Sequence, residues 1–328
     1  MSFILLLSER WIYFAWPAIN RPRGSVDLVQ RAAVTGGRIG IIGGTGLGEA
    51  LGTLGKGDTH RLETPFGFPS APIVTTEVAG AHVALLARHG EGHRLNPSRV
   101  PFRANIFALK LLGVTRILAT TAVGSLHEEI QPTDLVIPDQ VIDKTFLRPN
   151  TFFDELAVHV DFAAPFCASL RRQLLAAGAG GTSRVHEKGT YVCIEGPQLS
   201  TRAESELHRS WGADLVGMTV MPEAKLAREA EICYALVALP TDYDCWRPSP
   251  SELDKVQVLD EIVRNLKRAS QNALELVRRA LPALASESAP TCACQSSLAM
   301  GIWSDRAQIP TAVRRRLAPL LSRYLGQG

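Results

Sequence analysis

The sequence predicts an α/β fold: a single domain with a central mixed β-sheet flanked by helices. Two patterns along residues 38–281 predict it. Short, β-rich apolar runs bounded by glycine or proline recur along the chain. Between them lie longer segments with apolar residues at helical spacing, and such alternation indicates a parallel or mixed sheet. The composition agrees. With 46% apolar and 20% charged residues, disorder, collagen and coiled coil are excluded as whole-chain readings. A chain of 328 residues buries enough surface to fold without disulfide staples.

The elements follow in order. Arg38-Ile39-Gly40-Ile41-Ile42-Gly43 reads as a buried strand. Ile73–Val78 and His82–Ala87 form a hairpin about Ala79-Gly80-Ala81. Pro97–Leu112 has helical spacing, with Val100, Ile106, Phe107, Leu109 and Leu111 apolar. Arg116–Thr121 and Asp134–Pro138 are strand-like, and helices are expected at about 165–178 and 201–211. Leu215–Thr219 is a strand, Pro222–Glu231 a helix with proline in its first turn, and Cys233–Leu239 a strongly apolar strand. Asp254–Leu281 is a long amphipathic helix with Leu259, Ile262, Val263, Leu266, Ala273, Leu274 and Val277 on one face. A basic helix, Pro310–Leu325, closes the chain.

Three regions result. Residues 1–36 mix apolar and aromatic residues with Glu9 and Pro17; they lack a signal peptide's leading charge and read as a poorly ordered N-terminal extension. Their deletion is expected to leave activity and stability nearly unchanged. Residues 37–284 form the main domain, and 285–328 a linker followed by a C-terminal helical extension.

Lys plus Arg number 35 and Asp plus Glu 32, a balance that points away from nucleic-acid partners. No apolar run approaches the ~18 residues of a membrane span. The six cysteines are scattered, which favours reduced thiols in a cytoplasmic protein. No Cys-x-x-Cys occurs and the eight histidines are dispersed, so no metal site is expected. Cys292-Ala293-Cys294 is expected to form at most a strained, easily reduced bridge under oxidising conditions.

Candidate chemistry gathers at strand C-terminal ends, where α/β folds bind ligands. Gly43-Gly44-Thr45-Gly46-Leu47-Gly48 is either a tight turn or a phosphate-sized anion site. Its spacing fails both the dinucleotide and the Walker pattern. Arg88-His89-Gly90 offers donors to an oxyanion, or is an ordinary surface pair. Thr120-Thr121-Ala122-Val123-Gly124-Ser125 offers hydroxyls and amides, or caps a helix. Thr241-Asp242-Tyr243-Asp244-Cys245-Trp246 carries two carboxylates two residues apart, able to face one site or to form a solvated acidic turn. Gly217-Met218-Thr219 ends a neighbouring strand. Their convergence indicates a small anion plus a group recognised by carboxylates.

With these residues in view, the chain resembles the S-methyl-5′-thioadenosine phosphorylases of the trimeric purine nucleoside phosphorylase superfamily. The resemblance spans about residues 38–281. It rests on Ile41-Ile42-Gly43-Gly44-Thr45-Gly46-Leu47, Thr64-Pro65-Phe66-Gly67, Leu85-Leu86-Ala87-Arg88-His89-Gly90, Glu128-Glu129-Ile130-Gln131-Pro132, Glu195-Gly196-Pro197, Arg202-Ala203-Glu204, Gly217-Met218-Thr219 and the 241–246 run. It implies phosphate-dependent cleavage of S-methyl-5′-thioadenosine to adenine and 5-methylthioribose-1-phosphate. Phosphate is a co-substrate and no cofactor is needed. By resemblance, Thr45, Arg88, His89, Thr121, Ala122 and Thr219 hold phosphate, and Met218 and Ser200 lie at the nucleoside. Asp242 is the general acid at the adenine N7, and Asp244 takes the 6-amino group. His159 reaches into a neighbouring subunit's site in a homotrimer or dimer of trimers. Leu199 stands where the family often has a phenylalanine on the base.

Three rivals remain at this point. A 6-oxopurine phosphorylase would be suited by Asn in place of Asp242. A nicotinamide-dependent oxidoreductase is opposed by the failed glycine spacing. A non-catalytic nucleoside-binding protein would not need the carboxylate and phosphate sets together.

Overall fold

The computed structural model describes residues 37–44, 57–247, 255–287 and 292–326. Residues 1–36, Thr45 and the rest of the glycine-rich loop lie outside the described residues, so the expectations placed on them carry no structural description.

The strands are β1 (Arg38–Gly43), β2 (Asp58–His60), β3 (Ile73–Val78), β4 (Ala81–Ala87), β5 (Val114–Ser125), β6 (Leu135–Val136), β7 (Gln140–Lys144), β8 (Val185–His186), β9 (Thr190–Ile194), β10 (Leu215–Gly217) and β11 (Cys233–Asp242). The helices are α1 (Phe102–Leu111), α2 (Ala168–Gly178), α3 (Arg202–Ser210), α4 (Val220–Glu229), α5 (Lys255–Ser286), α6 (Thr311–Arg316) and α7 (Ala318–Leu325). One mixed sheet runs β2-β3-β4-β1-β5-β10-β9-β7, with β11 beside β5 and joined to β6 and β8.

β5 is the hinge of this architecture. Its first part pairs in parallel with β1 on one side and β11 on the other, and its last two residues pair antiparallel with β10. Twelve residues of near-continuous burial make this double partnership possible, because both faces are covered. The C-terminal ends of β1, β4, β5, β10 and β11 are thereby drawn to one edge. One apolar layer lies under α1, α4 and the C-terminal helices, and a second lies under α2 and α5.

Local chemistry explains several elements. The β3–β4 hairpin turns on Ala79 and Gly80, both at positive φ, which suits the twist of the strands it joins. α3 starts at a capping box in which Thr201 and Glu204 satisfy each other's backbone N–H groups. The helix expected over 97–112 begins only at Phe102. A 3₁₀ turn at Pro97–Arg99 precedes it, and Val100, before Pro101, is held extended. The basic helix expected over 310–325 is two helices, broken at Leu317 ahead of Pro319.

Strands β2, β7, β8 and β9 were not anticipated. β2 and β8 are three and two residues long, and β7 is a partly polar edge strand. β9 is better buried, but its partners β10 and β7 are supplied only by the tertiary fold. The apolar face of α5 is also covered unevenly. Ala273 and Val277 are buried, whereas Leu259 and Val263 remain 59% and 56% exposed in a single chain.

The segment after residue 292 packs into the main core. Leu298, Ile309, Val313, Leu317, Leu320 and Leu321 join the apolar layer under α1 and α4. Ile302 bridges Val158, and Gln295 donates to Glu231 O at 2.8 Å. The cysteines are free thiols. Cys167, Cys233, Cys292 and Cys294, far apart in sequence, place their sulfur atoms together. Among the described residues no helix is long and apolar enough to cross a membrane.

Candidate active site

At the strand edge lies a cavity of about 370 Å³, walled by the C-terminal ends of β5, β10 and β11 and by residues 194–200. Of the residues singled out in the sequence, His89, Thr121, Ala122, Ser200, Met218, Thr219, Asp242 and Asp244 all line it. Leu199 lines its rim and is 79% exposed. Ile262, from the first half of α5, closes one side with an apolar surface.

One end of the cavity is a hydroxyl cluster. Thr121 and Thr219 approach to 3.0 Å between their Oγ1 atoms, and both are buried. His89 stands beside them, its Nδ1 at 2.8 Å from Leu95 O and its ring stacked on His93. Burial, reinforced by Arg88, pushes the His89 imidazole down to about 4. Near neutral pH it is therefore uncharged, with Nδ1–H donated to Leu95 O and Nε2 left to meet an incoming proton-bearing oxyanion.

This depressed value has a stability consequence. Between pH 6.5 and 4 the unfolded chain protonates His89 while the folded chain does not, so stability falls as pH falls through that window. The contribution is up to about 3 kcal/mol. Denaturation midpoints across this range should drop more steeply for the natural chain than for His89→Gln. Identical slopes would show that His89 is not the titrating group.

Arg88, expected at the phosphate, is hydrogen-bonded within the protein. It is fully buried beneath the cavity and is absent from its wall. Nε and Nη2 donate to the two Glu223 carboxylate oxygens at 2.7 Å each, and Nη1 donates to Thr120 O at 2.7 Å. Tyr234 donates to the same Glu223 carboxylate at 2.8 Å. The bidentate pair ties α4 to β4 and fixes the β5 backbone where Thr121 begins. A side chain at Gly44 would meet Arg88 Nη1 at 2.7 Å and Thr120 O at 2.6 Å, so only glycine fits beside this guanidinium.

The other end holds the carboxylates. Parallel pairing of β11 with β5 shifts register between Pro240 and Asp242, and this bulge sets the direction of the strand end. Asp242 accepts from Thr241 Oγ1 at 2.6 Å and from the Asp244 N–H at 3.0 Å. Asn265 on α5 donates to Thr241 O at 2.9 Å and steadies the turn. Burial raises the Asp242 carboxyl above the ordinary range, with those two hydrogen bonds opposing the rise and the Asp244 charge adding to it. Two polar atoms here are buried without a protein partner, Asp244 Oδ2 and Ser200 Oγ. Such atoms are costly unless a ligand satisfies them.

A buried pair missed by the sequence reading supports the middle of the cavity. Arg148 donates to Glu195 Oε1 at 2.9 Å and, through Nη1, to Met218 O at 2.6 Å and Met221 O at 2.7 Å. Burial alone would raise Glu195. Ser98, the Phe146 and Leu147 N–H groups and Arg148 outweigh it and hold the carboxyl at about 2. The Met218–Thr219 strand end is thus fixed from below. Gly217 lets it pass close to Tyr191, since a side chain there would meet the phenol oxygen at 2.1 Å.

His159 does not reach this cavity. It is exposed, its N–H donates to Gly301 O at 2.8 Å, and its ring packs edge-on against Trp303.

A family model described as the phosphorylase superfamily matches residues 38–282. An S-methyl-5′-thioadenosine phosphorylase of Gloeobacter violaceus is 46% identical over 292 residues, covering 88% of this chain and 96% of that protein. One from Geobacter sulfurreducens is 47% identical over 289 residues, covering 88% and 99%. A crystal structure of methylthioadenosine phosphorylase from an antarctic soil metagenomic library superposes with a TM-score of 0.79 at 46% identity, covering 86% of this chain and 98% of that one. The Schistosoma mansoni enzyme in complex with tubercidin gives 0.75 at 34% identity, covering 81% and 99%. Fold and site together are those of a nucleoside phosphorylase, a transferase of pentosyl groups. The chain belongs to the S-methyl-5′-thioadenosine phosphorylase family within the phosphorylase superfamily.

Proposed function

We propose that this chain cleaves the N-glycosidic bond of S-methyl-5′-thioadenosine with inorganic phosphate, giving adenine and 5-methylthioribose-1-phosphate. One observation carries the reading: a single cavity places a hydroxyl and imidazole cluster at one end and two carboxylates at the other. Phosphate rests on Thr121, Thr219, the Ala122 backbone and His89, with Thr45 a further ligand that the family resemblance implies and Arg88 holding the Thr120 backbone beside them. A phosphate oxygen attacks the anomeric carbon, and the carbon–N9 bond breaks with its electron pair going to the base. Positive charge on the ribose develops against the phosphate, so no covalent protein nucleophile is needed. Asp242, whose carboxyl burial raises, acts as the general acid at N7, and Asp244 Oδ2 accepts from the 6-amino group. No step calls for a metal or organic cofactor. The apolar methylthio group lies against Ile262.

The active assembly in this reading is a homotrimer, and the enzyme is cytoplasmic, where six free thiols stay reduced. His159, Trp303 and Met300 lie away from the chain's own cavity, and the latter two are 72% and 88% exposed. In a trimer His159 stands at a neighbour's site, as the family resemblance implies. His159→Ala should then raise KM for the nucleoside several-fold and leave KM for phosphate unchanged. Equal changes in both would argue against this placement.

The deciding assay is phosphate-dependent release of free base from S-methyl-5′-thioadenosine, adenosine and inosine. Rapid adenine release from the first, abolished without phosphate, is the expected outcome. Preference for inosine would move the assignment to 6-oxopurines.

A further inference from the structure

At the opposite end of β11 from the cavity, four of the six cysteines meet. Cys233 is the first residue of β11, Cys167 caps the N-terminus of α2, and Cys292 and Cys294 come from the turn after α5. Their sulfur atoms all lie within 4.8 Å of one another. Cys233 and Cys292 are 3.2 Å apart, and Cys167 and Cys292 3.7 Å. We propose that Cys167, Cys233, Cys292 and Cys294 form a tetrathiolate site for a structural zinc ion, which fastens the C-terminal segment to the sheet.

Ligand type, number and spacing support this assignment. Zinc bound by four thiolates is tetrahedral with Zn–S about 2.3 Å, so its sulfur atoms stand roughly 3.8 Å apart. The four thiols approach that separation before any ion is placed among them. Three of them are buried, at 3%, 1% and 8% exposure, while Cys292 is partly open and marks an entry side. An all-sulfur set selects a borderline-soft ion over magnesium or calcium.

The surroundings suit a bound thiolate. The N-terminus of α2 places partial positive charge at Cys167. The Gln295 side-chain amide lies 3.7 Å from Cys233 Sγ while also donating to Glu231 O. Such outer contacts orient metal ligands. Binding consumes no oxidant: one Zn²⁺ replaces up to four thiol protons, which pass to solvent, leaving a centre of net charge −2.

The consequence is mechanical. The ion would close successive loops of 66 positions from Cys167 to Cys233 and 59 from Cys233 to Cys292, joining α2, β11 and the chain from 292 onward. That chain carries Gly301 and Ile302, which hold the His159 segment. Because such a site exists only in the folded chain, metal binding adds to folding stability.

The test uses the full-length protein, purified under thiol reductant without chelator. Elemental analysis should find about one zinc per chain. After removal of the metal, Co²⁺ should produce the thiolate charge-transfer and intense visible bands of tetrahedral sulfur coordination, and Zn²⁺ should bleach them. Thermal midpoint should rise on reloading. Cys292→Ser, changing the most open ligand, should remain folded, lose tight zinc binding and lose the reloading shift; Cys294→Ser serves as a second variant. Absence of the cobalt bands with all thiols titratable would overturn the proposal. So would disulfides among these residues in freshly purified protein, or zinc retained at full stoichiometry by both variants.

Discussion

Replacing Asp242 with Asn should lower kcat/KM on S-methyl-5′-thioadenosine by about 10²-fold or more, the loss expected when a general acid is removed. The amide keeps the shape of the side chain and its bonds to Thr241 and the Asp244 N–H. It cannot deliver a proton to a departing base. The loss on inosine should be smaller, because the new amide can donate to the 6-oxo group next to N7. KM for phosphate should stay close to that of the natural chain, since the proposed phosphate contacts lie at the opposite end. Equal losses on both nucleosides would mean that Asp242 shapes the turn without choosing the base. Full activity would place the chemistry elsewhere.

The second large effect is on stability. Glu223→Ala leaves the Arg88 guanidinium buried with its bidentate partner gone, and a broken buried pair of this kind costs about 3–5 kcal/mol. The Tyr234 hydroxyl loses its acceptor at the same time. Urea denaturation should show that loss. KM for phosphate should rise as well, because Arg88 no longer holds the backbone at Thr120. A loss below about 1 kcal/mol would mean that the guanidinium finds another acceptor or water on relaxation. Retained stability with a raised phosphate KM would instead assign Arg88 to direct anion contact.

These two sites differ in how far they were legible in the sequence. Asp242 and Asp244 were readable because β11 is strongly apolar and the carboxylates fall two positions apart at its end. In the structure β11 ends at Asp242, and a turn with Asp244 at positive φ brings the second carboxylate to the same cavity. Thr121 and Thr219 were readable singly as polar residues at strand ends. Their 3.0 Å contact was not, because it joins residues 98 positions apart. Arg88 was recognised as a cation at a strand terminus, but its partner Glu223 lies 135 residues later, inside what reads as an ordinary helix. Arg148 was missed outright. It follows Phe146 and Leu147, both largely exposed, so its neighbourhood reads as loop, and only Glu195 reveals its burial. The meeting of four cysteines was hidden in the sequence for a related reason. A search for two ligands on one knuckle finds none, while the fold gathers its set from three separate segments.

Strand β11 runs from Cys233 to Asp242, buried along almost its whole length and flanked by β5 for nine residue pairs. Its amides should be among the last in the molecule to exchange with deuterated solvent, opening only when the whole domain opens. The carboxylate proposed to select the base is therefore mounted on the least yielding part of the chain. Leu199, on the rim, is 79% exposed. Directed evolution toward larger or differently substituted bases should accordingly collect its changes at residues 197–200 and on the first half of α5, where backbone can give way. Position 242 itself should accept only substitutions that preserve the outline of aspartate.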